Sequence, residues 1–435
     1  MLKPLYRILF ALILAAATWL WVQKIAIPHQ IADSVERGIP RGNLSDLYPR
    51  WLGARELLLH RRNPYSADLT REIQAGYYGR AIDASRANDP KDQQAFAYPL
   101  YVVFLLAPTV GLPFAIVQHA FFVLLIAATA ASIPLWFGAL GSGEMGSPPS
   151  AATQILWIVL TLGCFPAIQG FKLQQLTLAV AFFLAAAMYG LVRGHLVMAG
   201  VLLALAGIKP QLVALTIVWL GIWIAGNWRE RRQLLWSYVA SMAVLIAGGE
   251  ILLPGWIGEF RAASAAYYRY TEGGKSILDV ALTPLFGRMV AALLVCVLIV
   301  VIWRLRHHGA RTAEFRWLLA LTMATTLMVI PMFAPYNQVL LLPALMVIVQ
   351  YWTALWRRNA ISRFFALLTM LAVAWPWVAS LALVIALLFL PGVTVQKAWA
   401  VPLYTNFAIP LLVLALLLFM RRDVVSGSAE APSRA

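Results

Sequence analysis

Apolar runs of about 18 or more residues recur along nearly the whole chain, and a chain built that way folds in lipid rather than around a soluble core. A first run covers residues 6–27. Further apolar runs, some of them shorter, follow at about 97–111, 113–138, 174–192, 196–208, 211–226, 234–252, 279–305, 315–333, 338–356, 362–390 and 401–420. A run of about 13 residues at 153–165 reads as a re-entrant or half-length helix that does not cross. The expected fold is an all-α polytopic membrane protein with about twelve transmembrane helices. Residues 1–420 form one multispan domain, and 421–435 form a small, polar, disordered tail.

Charge sets the expected orientation. The chain carries a net charge of +16 although only 12% of its residues are charged. In a soluble protein such a balance suggests nucleic acid. Here the cations gather in short connections, at Arg193, 229–232, 304–311, 357–359 and 421–423, so they act through the positive-inside rule and no nucleic-acid partner is expected. The three alanines at 15–17 resemble a cleavage site, but the run continues through Trp19, Leu20, Trp21 and Val22, which favours a retained anchor. The expected protein is a multi-pass component of the inner (plasma) membrane with both termini cytoplasmic. Cys164 and Cys296 lie in apolar runs and read as packing residues.

Residues 28–95 then form a long first loop on the outer, periplasmic face. It holds half of the chain's 18 acids, including Asp46, Asp68, Asp83 and Asp92. Leu47, Trp51, Ala54 and Leu58 recur at helical spacing, which predicts an amphipathic helix on the membrane surface, ended near Asn63 and Pro64. A second short helix is expected at about 68–82.

Asp46 carries two readings. Pro49 suits a first helical turn, so Ser45 or Asp46 can cap that helix. Alternatively Asp46 is a carboxylate kept ionised by the helix dipole and by Arg50, able to take a proton from a sugar or lipid hydroxyl. Lys209, in "GIKP", sits between two short apolar segments. There it either snorkels to the interface or offers a point charge to a phosphate. Lys172, Gln174 and Gln175 make a polar cluster before another apolar run, as do Tyr336, Asn337 and Gln338 between prolines. Both clusters suit helix starts or contacts to sugar hydroxyls. Tyr267, Tyr268, Arg269 and Tyr270 read as interfacial anchors or as sugar-stacking groups. Ser276 and Asp279 fall on the same face. His307 and His308 lie in a basic inner loop and read as solvated. No metal-ligand spacing or phosphate-binding glycine loop is present, so neither a metal nor another cofactor is expected.

Four stretches together resemble glycosyltransferase family 87, the polyprenol-phosphate-dependent hexosyltransferases that include mannosyltransferases. They are "DLYPRWLGARELLLHRRNPY", "FAYPLYVVFLLAPTVGLP", "LQQLTLAVAFFLAAAMYGLVRGHLVMAGVLLALAGIKPQ" and "PYNQVLLLPAL". Two departures stand out. Gln174 replaces the usual glycine before Gln175, and Leu100 follows Pro99 where the family has a second proline. The resemblance implies the multispan GT-C fold and a polyprenyl-phosphate sugar as donor. It implies a lipid or glycan acceptor and transfer of a hexose, mannose above all, with inversion. Asp46 would be the general base, and Lys209 and Lys172 would bind the donor phosphate. Arg50, Tyr65, Tyr98, Gln175, Arg269, Ser276, Tyr336 and Asn337 are the substrate-binding candidates.

The alternative class is a secondary transporter or a lipid or glycan flippase, for which Glu250, late in an apolar run, is the strongest acid. The absence of a convincing internal repeat counts against it. A structural subunit of an envelope complex would leave Asp46 as a helix cap alone. Convergence of Asp46, Gln175 or Lys172, Lys209 and Tyr336 on one cavity would favour the enzyme.

Overall fold

The structure is a computed structural model that describes residues 3–83, 85–141, 149–271 and 274–427, and all regular structure among them is helical. α1 (Pro4–Trp21) and α2 (Ile27–Glu36) form one rod of 33 residues, joined by a π-helical turn at Val22–Ala26. That wide turn lies just before Pro28, whose ring and missing N–H disturb a regular helix four residues back. The rod therefore runs on to Glu36, and residues 28–36 are helical rather than part of the loop.

α3 (Tyr48–His60) and α4 (Ala67–Tyr78) are the two short helices expected in the loop. Arg61, in the left-handed region at φ 55°, closes α3. Arg62 then ties the pair together by pairing with both Glu56 and Glu72. The face of Leu47, Trp51 and Ala54 is buried against the protein's own core beside Phe96 and Val103. It packs on protein, where a membrane surface was expected.

The run at 97–111 makes no span. Pro99 and Pro108 confine its α-helix to five residues, α5 (Val102–Leu106), followed by a 3-10 turn at Ala107–Thr109. α6 (Phe114–Leu140) is a full-length rod. α7 (Ala151–Leu162) and α8 (Phe165–Lys172) are bent by 58° at their junction. α9 (Thr177–Val192), α10 (Leu196–Ala206) and α11 (Pro210–Gly226) are short apolar helices. α12 (Trp228–Leu252), α13 (Trp256–Tyr270), α14 (Ile277–Ala281), α15 (Pro284–Leu305) and α16 (Ala313–Val329) follow. A 3-10 helix at Pro335–Leu341 leads into α17 (Leu342–Gln350), which is bent by 61° from α18 (Trp352–Arg358). α19 (Ala360–Ala386), α20 (Gly392–Gln396) and α21 (Ala408–Gly427) complete the chain. α21 runs beyond residue 420, and the remainder of the expected disordered tail, 428–435, lies outside the described residues.

The helices share two ends. At one, Arg316 donates to the carbonyl of Leu140, Arg311 to that of Val192, and the buried Arg231 to those of Trp223, Arg306, His307 and His308. This end collects the basic connections. At the other, Tyr48 and Trp51 meet Phe114, and Tyr101 donates to Gly207. α6 and α9 thus both run from the second end to the basic end. The chain must return between them, and the bent pair α7–α8 makes that return. The segments thus differ from the expectation: residues 97–111 form no helix long enough to cross, and residues 151–172, read as a segment that does not cross, form a bent pair long and apolar enough to cross if it is one span. The two shifts cancel, so every later segment keeps its expected direction.

By length and composition, six described helices can cross a membrane, or eight if each bent pair is one span. That is fewer full-length spans than the apolar runs suggested, because α9, α10 and α11 are short. α10 has 11 residues, a rise of about 16 Å against a hydrocarbon core of about 30 Å. Exposed Phe10, Val123, Leu293 and Leu371 give the outside of the bundle the apolar surface that lipid demands. The chain is a polytopic membrane protein. Both cysteines are free.

Candidate active site

The segment before α3 aims Asp46 away from the helix it was expected to cap. α3 begins at Tyr48 with Leu47 at its N-cap and no side-chain cap. Asp46 is held by its own N–H, which donates to the Leu173 carbonyl at 2.9 Å. Its side chain is thereby free to accept from two donors. Tyr77 Oη donates to Oδ1 at 3.0 Å, and Gln175 Nε2 donates to Oδ2. Arg50, one turn on, donates to the backbone carbonyl of Asp46 at 2.7 Å and not to the carboxylate, as had been expected. Its guanidinium lies 4.3 Å from the centre of the Tyr98 ring, and its buried Nε has no hydrogen-bond partner.

Gln175 is placed by the end of α8. Gln174 takes the left-handed conformation at φ 48°, its N–H bonds the Phe171 carbonyl, and the Gln175 N–H bonds that of Gly170 at 2.8 Å. This pair of bonds is the Schellman closure, which usually places glycine at the left-handed residue. The departure at Gln174 now has a physical counterpart. The position wants glycine for its conformation, and Gln174 offsets the strain by donating to the Phe171 and Lys172 carbonyls.

Lys209 precedes Pro210 at the start of α11 and is 6% exposed. Its ammonium donates to Gln175 Oε1 at 2.6 Å and to Thr177 Oγ1 at 2.8 Å. The rings of Tyr336 and Tyr98 lie 5.2 and 5.8 Å away. Thr177 passes its own proton to Asn337 Oδ1 at 3.0 Å. An ammonium only donates and an ionised carboxylate only accepts, so the orientation of the Gln175 amide between them is unambiguous.

These groups line one cavity of about 610 Å³. It brings together Asp46, Arg50, Tyr98, Gln175, Lys209, Tyr336 and Asn337 from the sequence candidates. It leaves out four others. Tyr65 stands behind the wall, donating to the Tyr98 carbonyl at 2.7 Å. Lys172 turns to Gln30, at 3.0 Å. Ser276 is engaged in a capping box with Asp279, and Arg269 is exposed on α13.

The cavity also contains residues that sequence reasoning missed. Tyr77 follows Leu69 and Ile73 at four-residue spacing on the buried face of α4, a periodicity that could have found it. Burial and the neighbouring Asp46 push its phenol well above the usual range, so it remains a donor to the carboxylate. Asp92 had no such signal. Its carboxylate accepts from the Gln94 backbone at 3.0 Å and side chain at 2.9 Å, and burial holds it above the usual carboxylate range. Tyr267, one of the tyrosines the sequence offered as anchors or sugar-stacking groups, joins them from α13.

Glu250, the acid that would have served a transporter, is exposed at the end of α12. It accepts from the Gly255 N–H at 2.7 Å, a turn-stabilising contact. His307 and His308 bond the carbonyls of Gly226 and Leu305 at the basic end.

Fold and cavity thus define a polytopic membrane protein with two carboxylates, two cations and several tyrosines gathered around one cavity. Over residues 96–331, more than half of its length, the chain matches the model of glycosyltransferase family 87 and belongs to that family. It is a membrane glycosyltransferase, an enzyme that takes a sugar donor and an acceptor. The match includes Tyr98, Gln175 and Lys209; Asp46 and Tyr336 lie outside it. No match was found among curated proteins or among solved structures.

Proposed function

We propose that the protein moves a hexose, mannose in the first instance, from a polyprenyl-phosphate sugar to a lipid or glycan acceptor, with inversion and with Asp46 as general base. The observation that carries this reading is the bridge Asp46–Gln175–Lys209 on the cavity wall, which joins a proton acceptor to a cation through one amide. An acceptor hydroxyl at Asp46 gives up its proton as its oxygen attacks the anomeric carbon. The bond from that carbon to the phosphate oxygen breaks, and its electron pair leaves with the lipid phosphate. Lys209, with Arg50 across the Tyr98 ring, stabilises the charge that develops there. Tyr77 and Gln175 keep the carboxylate oriented.

The reading extends to architecture and topology. Counting the bent pairs, the three short helices and α16, alternation between the two ends gives about twelve passes, in keeping with a GT-C fold. The basic end belongs in the cytoplasm by the positive-inside rule, with both termini, and the cavity at the outer face of the plasma membrane. Nucleotide sugars are made in the cytoplasm, so a lipid-borne phosphate sugar is the activated donor available outside. The short helices suit such a donor, because they keep Lys209 within the depth of the bilayer that a lipid phosphate occupies.

The test is incubation of purified protein with a panel of polyprenyl-phosphate sugars and chemically defined acceptors, following transfer. Asp46→Asn keeps the shape of the side chain and loses its basicity, and is expected to lower transfer about a hundred- to ten-thousandfold, the range of general-base contributions. Undiminished transfer by a folded variant would remove Asp46 from this role.

A further inference from the structure

Lys172 points away from the cavity towards a second cation. Its Nζ donates to Gln30 Oε1 at 3.0 Å. Arg41 donates to the backbone carbonyl of the same Gln30 at 3.0 Å and reaches Ser34 Oγ at 3.4 Å. An ammonium and a guanidinium thus straddle one residue of α2, close enough that Arg41 acts on Lys172 as a like charge. Both side chains are partly buried. Among the described residues no carboxylate lies within ion-pair distance of either. Asp33, the acid on the same stretch of α2, is engaged by Arg37 at 2.8 Å. Two partly buried cations satisfied by neutral oxygens alone repel each other, and an anion between them would relieve that repulsion.

The level of this pair is readable from the rod that carries it. Gln30 lies 26 residues beyond Pro4 in a continuous helix, a rise of about 39 Å, and so beyond a hydrocarbon core of about 30 Å. Trp399 stacks on His29 at 5.2 Å and accepts from Trp21 Nε1 at 3.2 Å, an aromatic layer of the kind that marks the headgroup region.

We propose that Lys172 and Arg41 form an anion site for a phosphate-bearing group, supplied by a phospholipid headgroup or by free phosphate. The arrangement offers the planar fork of an arginine and a point charge to one set of phosphate oxygens, while Ser34, whose proton goes to the Ile31 carbonyl at 3.0 Å, helps to hold Arg41 in place. The site is separate from the cavity and does not rest on the proposed reaction. It adjoins it through Leu173, whose carbonyl holds the Asp46 N–H, so an occupant would steady the segment that presents Asp46.

The test uses the full-length protein in neutral detergent, with native mass spectrometry for retained phosphatidylglycerol against phosphatidylcholine. The wild type is expected to retain phosphatidylglycerol selectively. The double variant Arg41→Gln/Lys172→Gln should retain it at least about tenfold less, and Lys172→Arg should keep it. Arg71→Gln, which removes an exposed cation elsewhere in the same loop, should behave as wild type. Displacement of the lipid by millimolar inorganic phosphate, or phosphate binding without lipid selectivity, assigns the site to free phosphate. A measurement on wild type alone guards against misfolded variants: phosphatidylglycerol or phosphate should raise its unfolding temperature over chloride at equal ionic strength. No stabilisation by either probe, or equal retention by wild type and a folded double variant, overturns the proposal.

Discussion

Lys209 reaches Asp46 through a single side-chain amide. Gln175 receives the ammonium of one on its oxygen and offers its nitrogen to the carboxylate of the other. Both charges are thereby held in register without forming an ion pair, as the proposed reaction requires of a base and an anion-binding cation. Gln175→Ala removes the bridge, leaving Lys209 with Thr177 and Asp46 with Tyr77 alone among these contacts. Hydrogen bonds to charged groups contribute about 1.5–3 kcal/mol, so kcat is expected to fall about ten- to a hundredfold with KM little changed. Steady-state kinetics with a polyprenyl-phosphate sugar would show it, and a change confined to KM would contradict this assignment.

Lys209→Met keeps most of the side chain's bulk and loses its charge. Gln175 Oε1 and Thr177 Oγ1 lose their shared partner. Donor affinity should weaken by tenfold or more, while binding of an uncharged acceptor should change far less. Lys209→Arg should not restore the donor, because a planar fork cannot reproduce a point charge seated between two oxygens. Equilibrium binding of donor and acceptor, measured separately, decides the matter.

The strained residue at the end of α8 offers a test of the turn itself. Gln174→Gly removes both the left-handed strain and the carbonyl contacts, so its stability should stay close to wild type. Gln174→Ala removes the contacts and keeps the strain, and should unfold about 1 kcal/mol more readily than the glycine variant. Thermal unfolding in detergent reads the gap. Equal stability of the two would mean that φ at this position does not matter.

Asp92 predicts a pH dependence of stability. Burial raises its carboxyl above the ordinary range, so the folded chain binds more protons than the unfolded one in the window that opens near pH 4. Stability therefore falls as pH rises through that window, and the cost persists at neutral pH. Asp92→Asn removes the buried charge. Its unfolding temperature relative to wild type should rise from acidic to neutral pH, by a few degrees. A gap that does not change with pH would show that the carboxylate is well solvated.

Much of the site was legible because charge is conspicuous in an apolar chain. Lys209 stood out as a charge between two apolar segments and Asp46 as a carboxylate at the start of a helix in the first loop, and the cavity brings them together. Lys172 was misplaced because direction is lost in a linear reading. It belongs to the last turn of α8, while the left-handed Gln174 swings the next residue inward, so near neighbours face opposite ways. Asp92 lies in an irregular loop with no periodicity to mark it. The run at 97–111 misled for a simpler reason: hydropathy counts apolar residues, but Pro99 and Pro108 decide whether they can continue a helix.

The 11-residue length of α10 has a kinetic consequence for a donor carried in the bilayer. For the proposed polyprenyl-phosphate donor, a cavity beside so short a helix would lie below the lipid surface, sparing the isoprenoid tail from water and making encounter two-dimensional. Turnover should then follow the mole fraction of donor among the lipids, not its amount per volume. Adding inert lipid at fixed total donor should slow the enzyme as surely as removing substrate.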